Sequence, residues 1–263
     1  MPLVMTPAVV LRTYRYSETS KVVRLATRDL GVQSAIAKGA LRPKSRFGAG
    51  LELLSEGMAQ LYHRESRELQ TLAAFDAERL RRELAADLGR FAAATALAEL
   101  MVRMAPAAPL PTAYDALTAG LDDLVGATPA EVDAAAVRAL WSLLGVLGFE
   151  PALRQCVRDG VAIAPDGEAV MFSTAEGGVL CDACVRANPP ASSTRLPPYA
   201  WQDLCALLDP HVALPRLDAP HAAAHRRLAS RFIRHHLNDS GNSALPALEF
   251  WERRAWVPPS TAS

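Results

Sequence analysis

The chain has 263 residues, half of them hydrophobic, with 28 basic and 28 acidic side chains. That length can bury one large core or two to three small ones, and the neutral balance by itself argues neither for nor against a polyanionic partner. No stretch approaches the roughly 18 uninterrupted apolar residues of a membrane span, and the apolar run near the N-terminus has no Lys or Arg ahead of it and no small-residue cleavage site after it, so a cytoplasmic protein is expected.

The first 75 residues hold 11 Lys and Arg against 6 Asp and Glu, a net of +5, and contain all three lysines, Lys21, Lys38 and Lys44. Residues 76–150 reverse the sign, with 6 against 11, a net of −5. A basic module followed by an acidic one points to a polyanion at one end of the molecule. The basic module reads as β. Candidate strands run over 8–14, 22–27 and 32–37, then 51–62 and 69–75, with turn chemistry at residues 28–31, where Gly31 is free to take positive φ. Five short strands suit a small closed barrel of the OB type, although an SH3-like barrel gives a similar pattern.

Between the third and fourth strands lies a basic loop, residues 38–48. Lys38, Arg42, Lys44 and Arg46 fall within nine residues with no acid among them, and Phe47 sits at the edge. Glycine and proline keep the segment irregular, so its cations can follow a phosphate backbone while aromatic rings stack on bases. Arg12, Arg15, Lys21 and Arg24 on the neighbouring strands extend the patch, and Tyr14, Tyr16 and Phe47 are the stacking candidates.

From about residue 78 the texture becomes helical. One amphipathic helix is expected over 78–104, with Leu84, Leu88, Phe91, Leu97, Leu100 and Val102 on its apolar side and Pro106 beyond its end. Further helices are expected from Thr112 to about Val125, from Thr128-Pro129 through Leu147, over 198–208 and over 221–237. Residues 152–190 read as a small irregular insertion, and 258–263 as a disordered Pro- and Ser-rich tail.

The insertion carries Cys156 and, three residues on, Asp159, followed by the pair Cys181 and Cys184. Two C-x-x-C pairs would be a strong zinc signal; here one half is intact and the other has aspartate as its second member, a harder and weaker ligand than thiolate. Cys156, Cys181 and Cys184, with Asp159 as candidate fourth ligand, form the metal reading, and a decayed site of buried thiols is its rival. A knuckle rich in glycine and poor in hydrophobic residues favours the metal. Cys205 lies in an apolar run and reads as a core thiol. In the last long helix, Arg226, Arg227, Arg231 and Arg234 form a second basic surface, while His221 and His225 lack the H-E-x-x-H pattern and read as solvated. Neither G-x-x-x-x-G-K-[ST] nor G-x-S-x-G is present, which counts against an ATPase or esterase.

Residues 10–25 (VLRTYRYSETSKVVRL), then Gly31, Ala37 to Ala40 and Arg46 to Gly48, resemble the N-terminal domain of the bacterial RecO family. The resemblance continues through Gly145, Gly148, Phe149, Glu150 and Pro151, the cysteine that follows, and Gly177 to Cys181. It implies a multidomain α+β chain: an OB-fold DNA-binding domain over 1–77, then a helical domain over 78–257 with a zinc-finger-like insertion. It also implies a non-enzymatic mediator of DNA repair in the RecF-type pathway. Such a protein binds single- and double-stranded DNA, anneals complementary strands and, with RecR, places RecA on strands covered by single-strand-binding protein, in the cytoplasm at the nucleoid. The competing reading is an RNA-binding OB-fold or zinc-ribbon protein.

Overall fold

The computed structural model describes residues 2–48, 50–163, 169–237 and 244–253. Five strands form a closed barrel in the order β1-β2-β3-β5-β4: β1 (Leu3–Arg15), β2 (Lys21–Thr27), β3 (Gly31–Ala37), β4 (Glu56–Tyr62) and β5 (Leu69–Arg79). β3 runs parallel to β5, and β4 closes the ring by pairing antiparallel with β1, which is the OB arrangement. The expected fourth strand is shorter than read, because residues 51–55 are turns that lead into it.

Alternation explains why the first strand looks uniformly apolar. Ala8 and Val10 point into the barrel with Val23, Leu25, Ala35, Leu61 and Leu72. Val9 and Leu11 point outward and join the core of the helical domain, together with Ala26, Val32 and Leu54. A strand buried on both faces loses its period-two signature, so the run 8–11 encodes contact with two cores at once.

The seam between barrel and helices is polar as well as apolar. Gly31 takes φ +71°, and a Cβ there would lie 2.2 Å from the Ala108 carbonyl oxygen, so both backbone shape and space require glycine. The neighbouring Val32 amide donates to the Pro106 carbonyl at 3.0 Å. Arg81, itself in the left-handed region at φ 43°, is 3% exposed at its side chain; it pairs with Glu56 and with Asp122 (3.0 Å), and reaches the Leu54 carbonyl. The Tyr114 hydroxyl donates to the other Glu56 oxygen at 3.1 Å; burial, then the Glu56 charge, push its pKa well above the ordinary phenol value.

The single helix expected over 78–104 is divided. β5 persists to Arg79, a short α1 spans Arg82–Ala86, and α2 runs Leu88–Met104 with Asp87 capping the Arg90 amide at 2.8 Å. Leu88 and Phe91 are exposed rather than part of the apolar stripe, since they lie in the first turn of the new helix, and the core face is built mainly of alanines with Leu97, Leu100 and Met101. α3 (Pro111–Gly126) and α4 (Val132–Val146) follow, the first with Pro at its opening turn rather than a Thr112 cap. Glu131 accepts from both the amide and the hydroxyl of Thr128, tying down the turn before α4.

The insertion forms a three-stranded sheet, β7-β6-β8, from β6 (Val170–Ser173), β7 (Gly178–Leu180) and β8 (Thr194–Leu196), with α5 (Asp182–Ala187) between the last two. Its hydrophobic content is larger than the sequence suggested. Val170, Phe172, Val179 and Leu196 are buried in the helical-domain core, Phe172 lies 6.1 Å from Phe232 between ring centroids, and Trp201 donates to the Leu153 carbonyl. Thus the insertion shares a core with its host and does not depend on a metal for all of its burial. α6 (Pro198–Leu208) and α7 (Ala219–Leu237) fall where expected, and a further helix, α8 (Pro246–Arg253), packs on α2 through Leu248 and Trp251. The expected disordered tail lies outside the described residues.

Candidate nucleic-acid interface and metal centre

The basic loop is a chain of tight turns closing one end of the barrel. Gly39 at φ +74° turns the chain after β3, the Arg42 amide donates to the Gly39 carbonyl, and the Ser45 amide donates to the Arg42 carbonyl. Two anchors hold the loop. The Leu41 amide donates to the Thr19 carbonyl at 2.9 Å, docking it on the β1–β2 turn, and Phe47 inserts into the barrel with Leu51. Phe47 is only 3% exposed, which corrects its assignment as a stacking surface: its ring fills the barrel end because an apolar side chain gains more from burial there than from solvent.

Anchoring of this kind leaves the cations outside. Lys38, Arg42, Lys44 and Arg46 are all exposed, and among the described residues none of them forms an ion pair. Arg46 lies over the Phe47 ring at 5.1 Å. Next to the loop, Lys21 is half-buried opposite Arg15, and the exposed Arg12 pairs in register with Arg24, whose guanidinium donates to Ser34 Oγ at 2.8 Å. Glu18 is the only acid before Asp29. A cluster of unneutralised cations held by backbone bonds is competent to contact successive phosphates.

The second basic surface does not persist as one. Arg226 is buried and donates to Asp133 Oδ1 at 2.8 Å, and Arg234 donates to Glu252 at 2.5 Å. Only Arg227 and Arg231 remain exposed, and Arg231 donates to the Thr194 hydroxyl. The histidines also depart from expectation. His225 is 3% exposed, with its pKa pushed down to about 4 by burial and then by His221, while His221 Nδ1 lies 3.0 Å from Asp218. Cys205 is half-buried at the edge of the core, its thiol pKa raised by burial.

The structure does bring together Cys156, Asp159, Cys181 and Cys184, whose ligand atoms all lie within 4.8 Å of one another. The first knuckle is a tight turn: the Cys156 amide donates to the Val161 carbonyl, and Gly160, at φ +73°, donates to the Cys156 carbonyl. The second opens α5, with the Cys184 amide donating to Cys181 Sγ at 3.4 Å. Asp159 is divided between two tasks. Its Oδ1 accepts from the Val161 amide at 3.1 Å, and its Oδ2 accepts from both the Cys181 and Cys184 thiols at 3.2 Å. The carboxylate is held well below its ordinary pKa by the Val161 amide and by the three thiols. The Cys184 thiol is pushed up to about 12, first by the hydrogen bond to Asp159 and then by burial.

Three sulfurs and an ionised carboxylate converging this closely are a donor set for a divalent metal, and a cation would replace the thiol protons that now face Asp159. Arg158 braces the two knuckles from behind, with Nε and Nη2 on Glu176 (2.7 and 2.8 Å) and Nη1 on the Cys184 and Asn188 carbonyls. Nothing in the linear sequence marks this brace, because its partners lie 18 to 30 residues away.

A closed OB barrel with a free basic loop, fused through a shared core to a helical domain with a Cys₃Asp knuckle, defines a multidomain OB-fold protein. Residues 1–80 match the family described as Recombination protein O N terminal, and 85–243 match Recombination protein O C terminal. The chain is similar to the DNA repair protein RecO of Symbiobacterium thermophilum, 32% identical over 236 residues that cover 89% of this chain and 92% of that one. It is also similar to the DNA repair protein RecO of Anaeromyxobacter dehalogenans, 35% identical over 246 residues, 90% of this chain and 92% of that one. The chain therefore belongs to the RecO family of DNA-repair and recombination proteins. Among the described residues no helix is long and apolar enough to cross a membrane.

Proposed function

We propose that the protein is a DNA-binding recombination mediator that acts by association rather than covalent chemistry. The observation that carries this reading is the set of exposed, unpaired cations, Lys38, Arg42, Lys44 and Arg46, on the end of an OB barrel in a family of DNA-repair proteins. Single- and double-stranded DNA share the phosphate repeat that such a surface reads, so both are ligands. Two strands held on one cationic surface repel each other less, which is a sufficient physical basis for annealing complementary strands. The helical domain then serves protein partners: RecR, single-strand-binding protein through the exposed Arg227 and Arg231, and RecA indirectly. Its place of action is the cytoplasm, at the nucleoid. The same association with RNA is the alternative.

The deciding measurement is binding of a fluorescent single-stranded oligonucleotide across a salt series. An Arg42/Lys44/Arg46 triple alanine variant should bind roughly fiftyfold more weakly at 0.15 M salt, with its salt slope reduced by about two, since each single-strand phosphate contact contributes about 0.7. Equal binding by both proteins moves the site off the loop, and tighter binding to RNA at matched salt selects the alternative.

The metal proposed for the knuckle is zinc, in a structural role: Cys156, Cys181, Cys184 and Asp159 would hold it, and bound there it would cross-link the 156–161 turn to the start of α5. The expected stoichiometry is one metal per chain. Asp159→Cys should tighten retention against a chelator and Asp159→Ala should loosen it, because thiolate is the softer ligand for zinc.

A further inference from the structure

The β1–β2 end of the barrel carries two large aromatic side chains that none of the described elements covers. Tyr14 is 44% exposed and Tyr16 is 62% exposed. Arg12 and Tyr14 occupy alternate positions of β1, and Tyr16 follows just past the end of the strand, where its amide donates to the Ser20 carbonyl at 3.0 Å. Arg12 lies over the Tyr14 ring at 5.0 Å, a cation–π contact on one face of the ring. Arg24 stands opposite Arg12 in register and is itself held by Ser34. Leu41 of the cationic loop is bonded to Thr19 of the β1–β2 turn that follows Tyr16, so cations and aromatic rings share one end of the barrel.

We propose that Tyr14 and Tyr16 form a stacking platform for two unpaired bases, and that this platform makes the barrel prefer single strands to duplex. This rests on the DNA-binding reading above and goes further by dividing the labour within the site. The loop cations contact phosphates, which every nucleic acid offers. The tyrosines contact base faces, which a duplex keeps inside its stack. Phe47, the other aromatic of this region, takes no part because its ring is committed to the barrel interior.

The test uses the full chain with three fluorescent ligands at one salt concentration: an oligothymidylate, an abasic oligomer of the same length, and a duplex. The wild type should bind oligothymidylate at least about tenfold more tightly than the abasic strand, given the usual strength of base–aromatic stacking. A Tyr14→Leu/Tyr16→Leu variant should lose that tenfold advantage while keeping its affinity for the abasic strand and the duplex within about twofold. A Tyr14→Phe/Tyr16→Phe variant should retain the wild-type preference, since the ring and not the hydroxyl is used. Unchanged oligothymidylate binding by the leucine variant overturns the platform, as does an equal loss on all three ligands. A wild type that binds none of the three overturns the DNA-binding reading itself, a result distinct from either.

Discussion

Loop 38–46 and helix α7 each carry four cations, and the fold treats them in opposite ways. In the loop all four are exposed and form no ion pair among the described residues, and the side chains committed to packing are the apolar Ala40 and, at its end, Phe47. In α7, Arg226 and Arg234 are spent on Asp133 and Glu252, and His225 is sealed in the core. Charge density along the sequence is thus a poor guide to charge available at the surface. What separates the two regions is the company each keeps. A loop with no acid of its own stays electrostatically open, whereas a helix wedged between α4 and α8 meets their carboxylates.

The contrast can be broken or sharpened by substitution. The largest effect is expected for cations already committed to structure. Arg81→Met should destabilise the fold by about 3–5 kcal/mol in urea unfolding, because it strands Glu56 beside the buried Tyr114 hydroxyl. A loss below about 1 kcal/mol would show that the seam between barrel and helices does not depend on this arginine.

His225 gives a pH signature of similar size. Its pKa is pushed down to about 4 in the fold, against about 6.5 when unfolded, so below pH 6.5 the unfolded chain takes up a proton that the folded chain refuses. Stability should therefore fall as pH drops from 6.5 toward 4, by about 3 kcal/mol in all, with no contribution above that window. A His225→Leu variant should lose this dependence; an unchanged pH profile would mean that the ring is solvated after all.

The loop should behave in the reverse sense. The Arg42/Lys44/Arg46 triple alanine, with its large deficit in DNA affinity, should unfold within about 0.5 kcal/mol of wild type, as expected for exposed side chains without ion pairs. A marked loss of stability would instead make the loop cations structural. Smallest of all is Arg227→Ala, also within about 0.5 kcal/mol, in contrast with Arg226→Ala, whose loss leaves Asp133 without its guanidinium. Equal effects at the two neighbours would erase the distinction between the buried and exposed sides of α7.

Much of this molecule was legible in its residues. Turn chemistry at residues 28–31, β-rich runs on both sides of it and the switch to Ala- and Leu-rich periodicity near residue 78 marked a five-stranded β module, OB-like or SH3-like, and a helical domain. The acid-free run 38–48 marked the loop, and the spacing of Cys156, Cys181 and Cys184 marked a knuckle with Asp159 in the fourth place. Those features are local, governed by backbone preference and side-chain chemistry within a few residues. α8 was not among the expected helices, although Leu245, Leu248 and Trp251 recur at helical spacing.

Tertiary structure alone decided the rest, because burial and pairing depend on what arrives from far along the chain. It put Phe47 inside the barrel and left Tyr14 and Tyr16 outside, although all three are aromatic neighbours of the same basic patch. It matched Arg226 with Asp133 across 93 residues while leaving Arg227 in solvent. It also buried Phe172 of the insertion beside Phe232 of α7 and Val179 in the same cluster, giving a segment that looked dependent on a metal a share of a common hydrophobic core. Local sequence fixes which groups can do chemistry; only the long-range packing of a closed barrel against a helical domain determines which of them remain free to do it.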